Sequence, residues 1–374
     1  MDAHGVDGKI FGLKKLYTMY LLLEDGTQMR GDSFGAQCDA SGEVVFNTGM
    51  VGYPEGFTDP SYRGQILVLT YPLVGNYGVP AGNLNELKNP FESSRIQISG
   101  LVVNEYSKNY SHFACTLSLT EWLKQSHIPA ISGVDTRALT QKLRRKGVML
   151  GTLAHTISKP PASFDNPNKR NLVAEVSTSE AIFYSPHSKS PHKTVLLYDC
   201  GVKLNIIRSL LARNTAVLRV PWNFDFIKAT RKFDGIIVSN GPGDPEKADQ
   251  TIHVIKKAMQ SSIPILGICL GNQILALAAG AKTFKLPYGH RSQNQPCMEM
   301  QTQKAYITSQ NHGFAVDPHT LQNGFEIWFQ NLNDDSVEGI RHREKPWMAV
   351  QFHPESNPGP TDTSWIFDFF LKHL

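Results

Sequence analysis

The chain has 374 residues, 41% hydrophobic and 19% charged, with a net charge of +4, a balance that excludes a disordered tail and a disulfide-stapled miniprotein. No dense Lys/Arg stripe supplies the field that nucleic-acid binding needs, so nucleic acid is set aside. Its five cysteines (Cys38, Cys115, Cys200, Cys269, Cys297) are scattered and form no C-x-x-C pair, which argues against a zinc ribbon and fits a reducing compartment. The opening MDAHGVDGKIFGLKKL lacks the continuous apolar run of a secretory signal, so the cytoplasm is the default location.

Short apolar runs then alternate with turn signals: Thr18 to Leu23 before Glu24-Asp25-Gly26-Thr27, Val44 to Phe46, Ile66 to Thr70, and Ile98 to Val103. These predict strands. Ser118, with Glu121 three residues on, opens one helix through a capping box, and Asp135 or Thr136 opens another that runs to Lys146 before Gly147. The first unit, 17–157, is therefore mixed α and β. From 158 to 193 the chain is rich in Pro, Ser, Asn and Lys (Pro160, Pro161, Pro167, Pro186, Pro191) and reads as a linker.

From 194 to 374 the rhythm is strand, helix, strand: Thr194 to Tyr198, Leu204 to Ala212, Ala216 to Val220, Gly235 to Ser239, a helix near Glu246 to Gln260, and Ile263 to Gly267. Short strands that are apolar throughout predict a mostly parallel α/β sheet covered by helices, with ligands bound beyond the strands' carboxyl ends. The stretch between Lys257 and Lys282 carries no charge, but Asn272-Gln273 would place two amides inside a membrane span, so no membrane segment is expected.

Chemistry concentrates at those strand ends. Gly267-Ile268-Cys269-Leu270-Gly271 joins a buried strand to an apolar helix with a nucleophile between glycines, the arrangement of a sharp catalytic elbow. The bland alternative is a small buried cysteine. Downstream, the strand Trp347 to Gln351 leads into Phe352-His353-Pro354-Glu355, where His353 and Glu355 project to one side and the carboxylate can hold the imidazole in one tautomer. A Cys269, His353, Glu355 triad follows, and a structural histidine is the competing reading. The loop Ser239-Asn240-Gly241-Pro242-Gly243-Asp244-Pro245 offers backbone N–H groups for an oxyanion beside that of Leu270, and no Gly-Lys-Ser/Thr makes it a phosphate cradle.

These segments, together with Gln310-Asn311-His312-Gly313-Phe314-Ala315-Val316, resemble a class I glutamine amidotransferase domain. The front segments Gly42-Glu43-Val44-Val45-Phe46-Asn47-Thr48, Phe57-Thr58-Asp59-Pro60-Ser61-Tyr62 and Gly133-Val134-Asp135-Thr136-Arg137 are similar to the glutaminase subunit or domain of carbamoyl-phosphate synthetase. The resemblance implies Cys269 as nucleophile, His353 as acid/base and Glu355 as its orienting partner. Glutamine would be gripped by Ser61, Gly241, Gly243, Leu270, Gln273, Asn311, Gly313 and Phe314, with no metal.

It further implies hydrolysis of L-glutamine to glutamate and ammonia through a cysteinyl thioester. The ammonia would pass to a synthetase subunit or fused domain that uses ATP, Mg and bicarbonate, in pyrimidine or arginine synthesis, this chain holding no cofactor. An amidotransferase for another synthetase and a non-catalytic regulatory subunit are the alternatives. Two departures stand out: Asn272 where His is frequent, and Ser292 where Gly is usual.

Overall fold

A computed structural model describes residues 17–82, 86–156, 164–186 and 191–374. The opening segment and part of the expected linker, including Pro160 and Pro161, lie outside them.

The front domain is built on a closed barrel, which its mixed α and β pattern did not specify. Around the ring run Tyr17–Leu23, Met149–Ala154, Ala40–Asn47, Gln65–Leu69, Gly100–Val102, Ala130–Ser132 and Gln28–Ser33, the last returning to the first. Successive side chains of a strand point to opposite faces, and here both faces are packed. Val44, Phe46, Ile66 and Val68 join Leu139 and Leu143 of the helix Thr136–Lys146. Their neighbours Val45, Leu67 and Leu69 pack with Phe57, Tyr62 and Leu123. Both predicted helices form with their predicted caps: Ser118 and Glu121 close a capping box, and the Asp135 carboxylate accepts the Ala138 N–H at 2.9 Å.

Among the described residues, the second domain carries a ten-stranded sheet. At its centre lie five parallel strands, in the order Thr215–Pro221, Lys193–Asp199, Gly235–Val238, Ile265–Ile268 and Trp347–Val350. They are largely buried because alternate side chains feed two cores: Leu196, Ile236 and Ala349 on one face, Leu197, Ile237 and Val350 on the other. The parallel half is as the sequence predicts. Beyond Trp347–Val350 the sheet continues as an antiparallel wing of Val337–His342, Phe325–Asn331, Thr283–Glu299 and Lys304–Val316.

The expected linker is partly structured. It contains the helix Leu172–Val176, capped by Asn171, and the strand Ile182–Tyr184, which pairs antiparallel with Thr215–Pro221. Elements this short contain too few repeats for periodicity to register. The second sheet therefore begins before Lys193. No helix among the described residues is long and apolar enough to cross a membrane.

The wing positions the site, because it reaches back to the front domain. Lys285 pairs with Glu43 at 2.5 Å, the Val148 N–H donates to the Pro287 carbonyl at 2.7 Å, and Thr48 N–H donates to Arg291 at 3.2 Å.

Candidate active site

The strand Ile265–Ile268 ends in the helix Leu270–Ala278, and Cys269 is the hinge between them, at φ 54° and ψ −102°. A non-glycine residue there is strained and is held by its neighbours, the state in which functional backbone strain is found. The Cys269 N–H is tied to the Val350 carbonyl of the adjacent strand at 2.8 Å. The flanking glycines are required by contact: a Cβ at Gly267 would stand 2.4 Å from the Gly271 carbonyl oxygen, and one at Gly271 would stand 2.1 Å from that of Val238. Leu270 opens the helix, so its N–H has no carbonyl a turn earlier to bond and is available to a developing negative charge.

His353 and Glu355 are buried after the neighbouring strand, and His353 Nδ1 lies 2.7 Å from Glu355 Oε1. That contact leaves Nε2, which has no hydrogen-bond partner among the described residues, as the ring nitrogen free to act on a neighbour. Burial opposes charging of the imidazole, but the charges of Glu355 and Cys269 outweigh it and lift His353 to about 10. Burial likewise opposes ionisation of Glu355, yet Lys203 and His353 hold it down to about 2. Lys203 Nζ lies 3.2 Å from Glu355 Oε1 and also donates to the Ser356 carbonyl. The expected triad thus rests on a buried fourth charge.

Cys269 opens into a cleft between the domains, and all eight residues expected to grip glutamine line it: Ser61, Gly241, Gly243, Leu270, Gln273, Asn311, Gly313 and Phe314. Ser61 is drawn in from the front domain by Asn240 Nδ2, which donates to its Oγ at 3.1 Å. A Cβ at Gly241 would stand 2.1 Å from the Cys200 carbonyl oxygen and 2.7 Å from Leu270 Cδ2, so the glycine loop lies close to the elbow. The Asn311 carbonyl accepts from Cys269 Sγ at 3.7 Å, while its amide nitrogen donates to Asp59 Oδ2 at 2.9 Å. Gln273 Nε2 donates to the Phe314 carbonyl at 2.8 Å and to Gln351 Oε1 at 3.1 Å. His353 lines the adjoining cavity, which shares Asn311 with the cleft.

Several contributors carried no signal of their own in the sequence. Lys203 reads as an ordinary residue before a helix, and Gln351 as a strand residue, yet Gln351 Nε2 donates to Cys269 Sγ at 3.7 Å. Asp59 lies in the front segment Phe57 to Tyr62, and its carboxylate joins Ser61, Asn240 and Asn311 across the domain boundary. Of the two departures, Asn272 is buried behind the elbow, donating to Gln351 Oε1 at 3.0 Å, and Ser292 lines the neighbouring cavity. Neither lines the cleft.

One cluster has the composition of a metal site: His290, His312 and Glu338 place ligand atoms within 4.8 Å of one another. The chemistry is that of an ion cluster. Both His290 nitrogens face carboxylates, Asp334 at 2.8 Å and Glu338 at 3.2 Å. Although burial disfavours its charge, those partners raise His290 to about 9.

Residues 196–373 match the family model "Glutamine amidotransferase class-I", and residues 21–153 match "Carbamoyl-phosphate synthase small chain, CPSase domain". Among similar proteins, Multifunctional protein CAD of Squalus acanthias is 51% identical, over 94% of this chain and 16% of its own length. Multifunctional protein pyr-3 of Neurospora crassa is 49% identical, over 94% of this chain and 21% of its own. The protein named Carbamoyl-phosphate synthase [ammonia], mitochondrial, of Aquarana catesbeiana is 48% identical, over 96% and 24%. The chain therefore spans less than a quarter of the length of each of these relatives.

Proposed function

The chain belongs to the class I glutamine amidotransferases that carry a carbamoyl-phosphate synthase small-chain domain, and from this premise we propose that it hydrolyses L-glutamine and delivers the ammonia to a carbamoyl-phosphate synthetase subunit or domain. The observation that carries the reading is the buried His353 and Glu355 pair, 2.7 Å apart, electrostatically coupled to Cys269 at its strained elbow.

His353 accepts the Cys269 proton, and the thiolate attacks the side-chain amide carbon of glutamine. The oxyanion is held by the N–H of Leu270 and by the glycine loop at Gly241 and Gly243. His353 then protonates the departing nitrogen, and ammonia leaves behind a γ-glutamyl thioester. Water, deprotonated by His353, attacks the thioester, and glutamate is released with the proton returned to Cys269. Glu355 and Lys203 fix the ring and its charge through both halves.

The synthetase step, with ATP, Mg and bicarbonate, belongs in this proposal to the partner. The names of the multifunctional relatives support a fused arrangement as readily as a separate subunit. The five free thiols support a reducing compartment, and we assign the cytoplasm on that basis. The name of the Aquarana relative specifies ammonia, and an intact cysteine, histidine and glutamate set in this chain favours glutamine as the nitrogen source here.

The test is glutamate formation from L-glutamine by the full chain, alone and with the synthetase. The reading expects slow turnover alone, faster turnover in the assembly, and loss of both with Cys269→Ala. Turnover that survives Cys269→Ala contradicts it.

A further inference from the structure

Three permanently charged or ionised side chains line the cleft beside Cys269: Glu43, Lys285 and Arg291. Two of them neutralise each other, since Lys285 Nζ lies 2.5 Å from Glu43 Oε1, and the same carboxylate also accepts from Gln65 at 2.9 Å and Asn168 at 3.1 Å. Arg291 is different. It is only 4% exposed, and among the described residues its guanidinium makes one hydrogen bond (Nη1 to the Tyr288 carbonyl, 2.7 Å), has no carboxylate at ion-pair distance and leaves Nε without a partner. A guanidinium cannot shed its proton to escape burial, so one whose nearest carboxylate, Glu43, acts on it only at a distance and is already paired with Lys285 is a site for an anion.

Its position selects the anion. Arg291 is paired in register with Asn311 on the neighbouring strand, and its guanidinium lies over Gly313, 3.2 Å from where a Cβ at that glycine would stand. Both are residues expected to grip glutamine, a substrate whose one permanent negative charge is its α-carboxylate.

We propose that Arg291 binds the α-carboxylate of glutamine and thereby restricts the site to the free amino acid. A glutamine whose α-carboxyl is amidated or joined in a peptide would leave the guanidinium buried and unpaired. This rests on the amidotransferase reading, deepening it to the substrate's recognition.

The test compares kcat/KM of the full chain for L-glutamine and for L-glutamine α-amide, following the γ-carboxylate products by chromatography. The wild type should favour glutamine by about 10- to 100-fold, the range of a lost charge-assisted hydrogen bond. Arg291→Met should raise the glutamine KM by that factor, leave the α-amide reaction unchanged and bring the ratio near one, with Arg291→Lys between. An equal fall for both substrates assigns Arg291 a merely structural role and overturns the proposal, as does an unchanged ratio. Equal use of both substrates by the wild type overturns it without any variant. Failure of the wild type to hydrolyse glutamine at all, with or without the synthetase, counts instead against the amidotransferase reading.

Discussion

Ile268 and Val350 are paired partners on adjacent parallel strands, so the chain leaves the sheet at one level on both sides of the site. Cys269 follows the first and bonds the carbonyl of the second, while His353 follows the second after Gln351 and Phe352. The distance along the chain is closed by sheet register, which loops could not hold to the tolerance that proton transfer demands.

If Cys269 is the nucleophile of a glutaminase serving a synthetase, Cys269→Ser abolishes glutamine-dependent carbamoyl-phosphate formation in the assembled enzyme. Synthesis from added ammonia persists, because that route bypasses the thioester. Parallel assays with the two nitrogen sources check this, and equal loss of both would show that Cys269 serves assembly.

Glu355→Gln keeps the shape and removes the charge beside His353. The imidazole, now without its main anionic support, should titrate well below its wild-type value of about 10, and glutamine turnover should fall by about 10²- to 10⁴-fold. Carbon-13 NMR of labelled histidine reads the first effect. An unmoved His353 resonance would show that the carboxylate does not set its charge.

Glu92 predicts a pH dependence of stability. This front-domain carboxylate is buried against the helix Leu204–Ala212, accepting the Asn205 N–H at 3.0 Å and facing Arg208 at 3.3 Å. Burial lifts its pKa from 4.5 to about 7 against the pull of Lys203 and Arg208. Between those pH values the folded state binds more protons than the unfolded, so this contribution is full below 4.5 and is lost as pH rises through 7. Glu92→Gln removes it, and the variant should gain on wild type by about 3 kcal/mol between pH 4.5 and 8. Urea denaturation across that range decides, and parallel curves would refute it.

Gly271→Ala should destabilise by about 3 kcal/mol or more, since the new Cβ meets the Val238 backbone oxygen at 2.1 Å and backbone cannot yield as a side chain does. Gly56→Ala is the control, with nothing within 4 Å of its new Cβ. Its melting temperature should be unchanged or slightly raised. Equal melting of both variants would show that the elbow tolerates bulk.

What could be read ahead of the structure was what is local. The elbow at Cys269, the His353 and Glu355 pair and the two capped helices each depend on residues within a few positions of one another. The parallel strands were legible because burial on both faces makes them apolar throughout. The barrel was not, since closure depends on Tyr17–Leu23 pairing with both Gln28–Ser33 and Met149–Ala154, and no single strand encodes its second neighbour. The wing strand Thr283–Glu299 hid behind Pro287, Pro296 and its many polar residues. Lys203, Asp59 and Arg291 have no local signature for a similar reason: each acquires its role from groups far off in the chain.

Reaction of the full chain with 6-diazo-5-oxo-L-norleucine, followed by peptide mass spectrometry, interrogates the site most directly. The account predicts one adduct, on Cys269, whose formation L-glutamine suppresses. An unmodified Cys269, or labelling of Cys38 or Cys115 in its place, would contradict it.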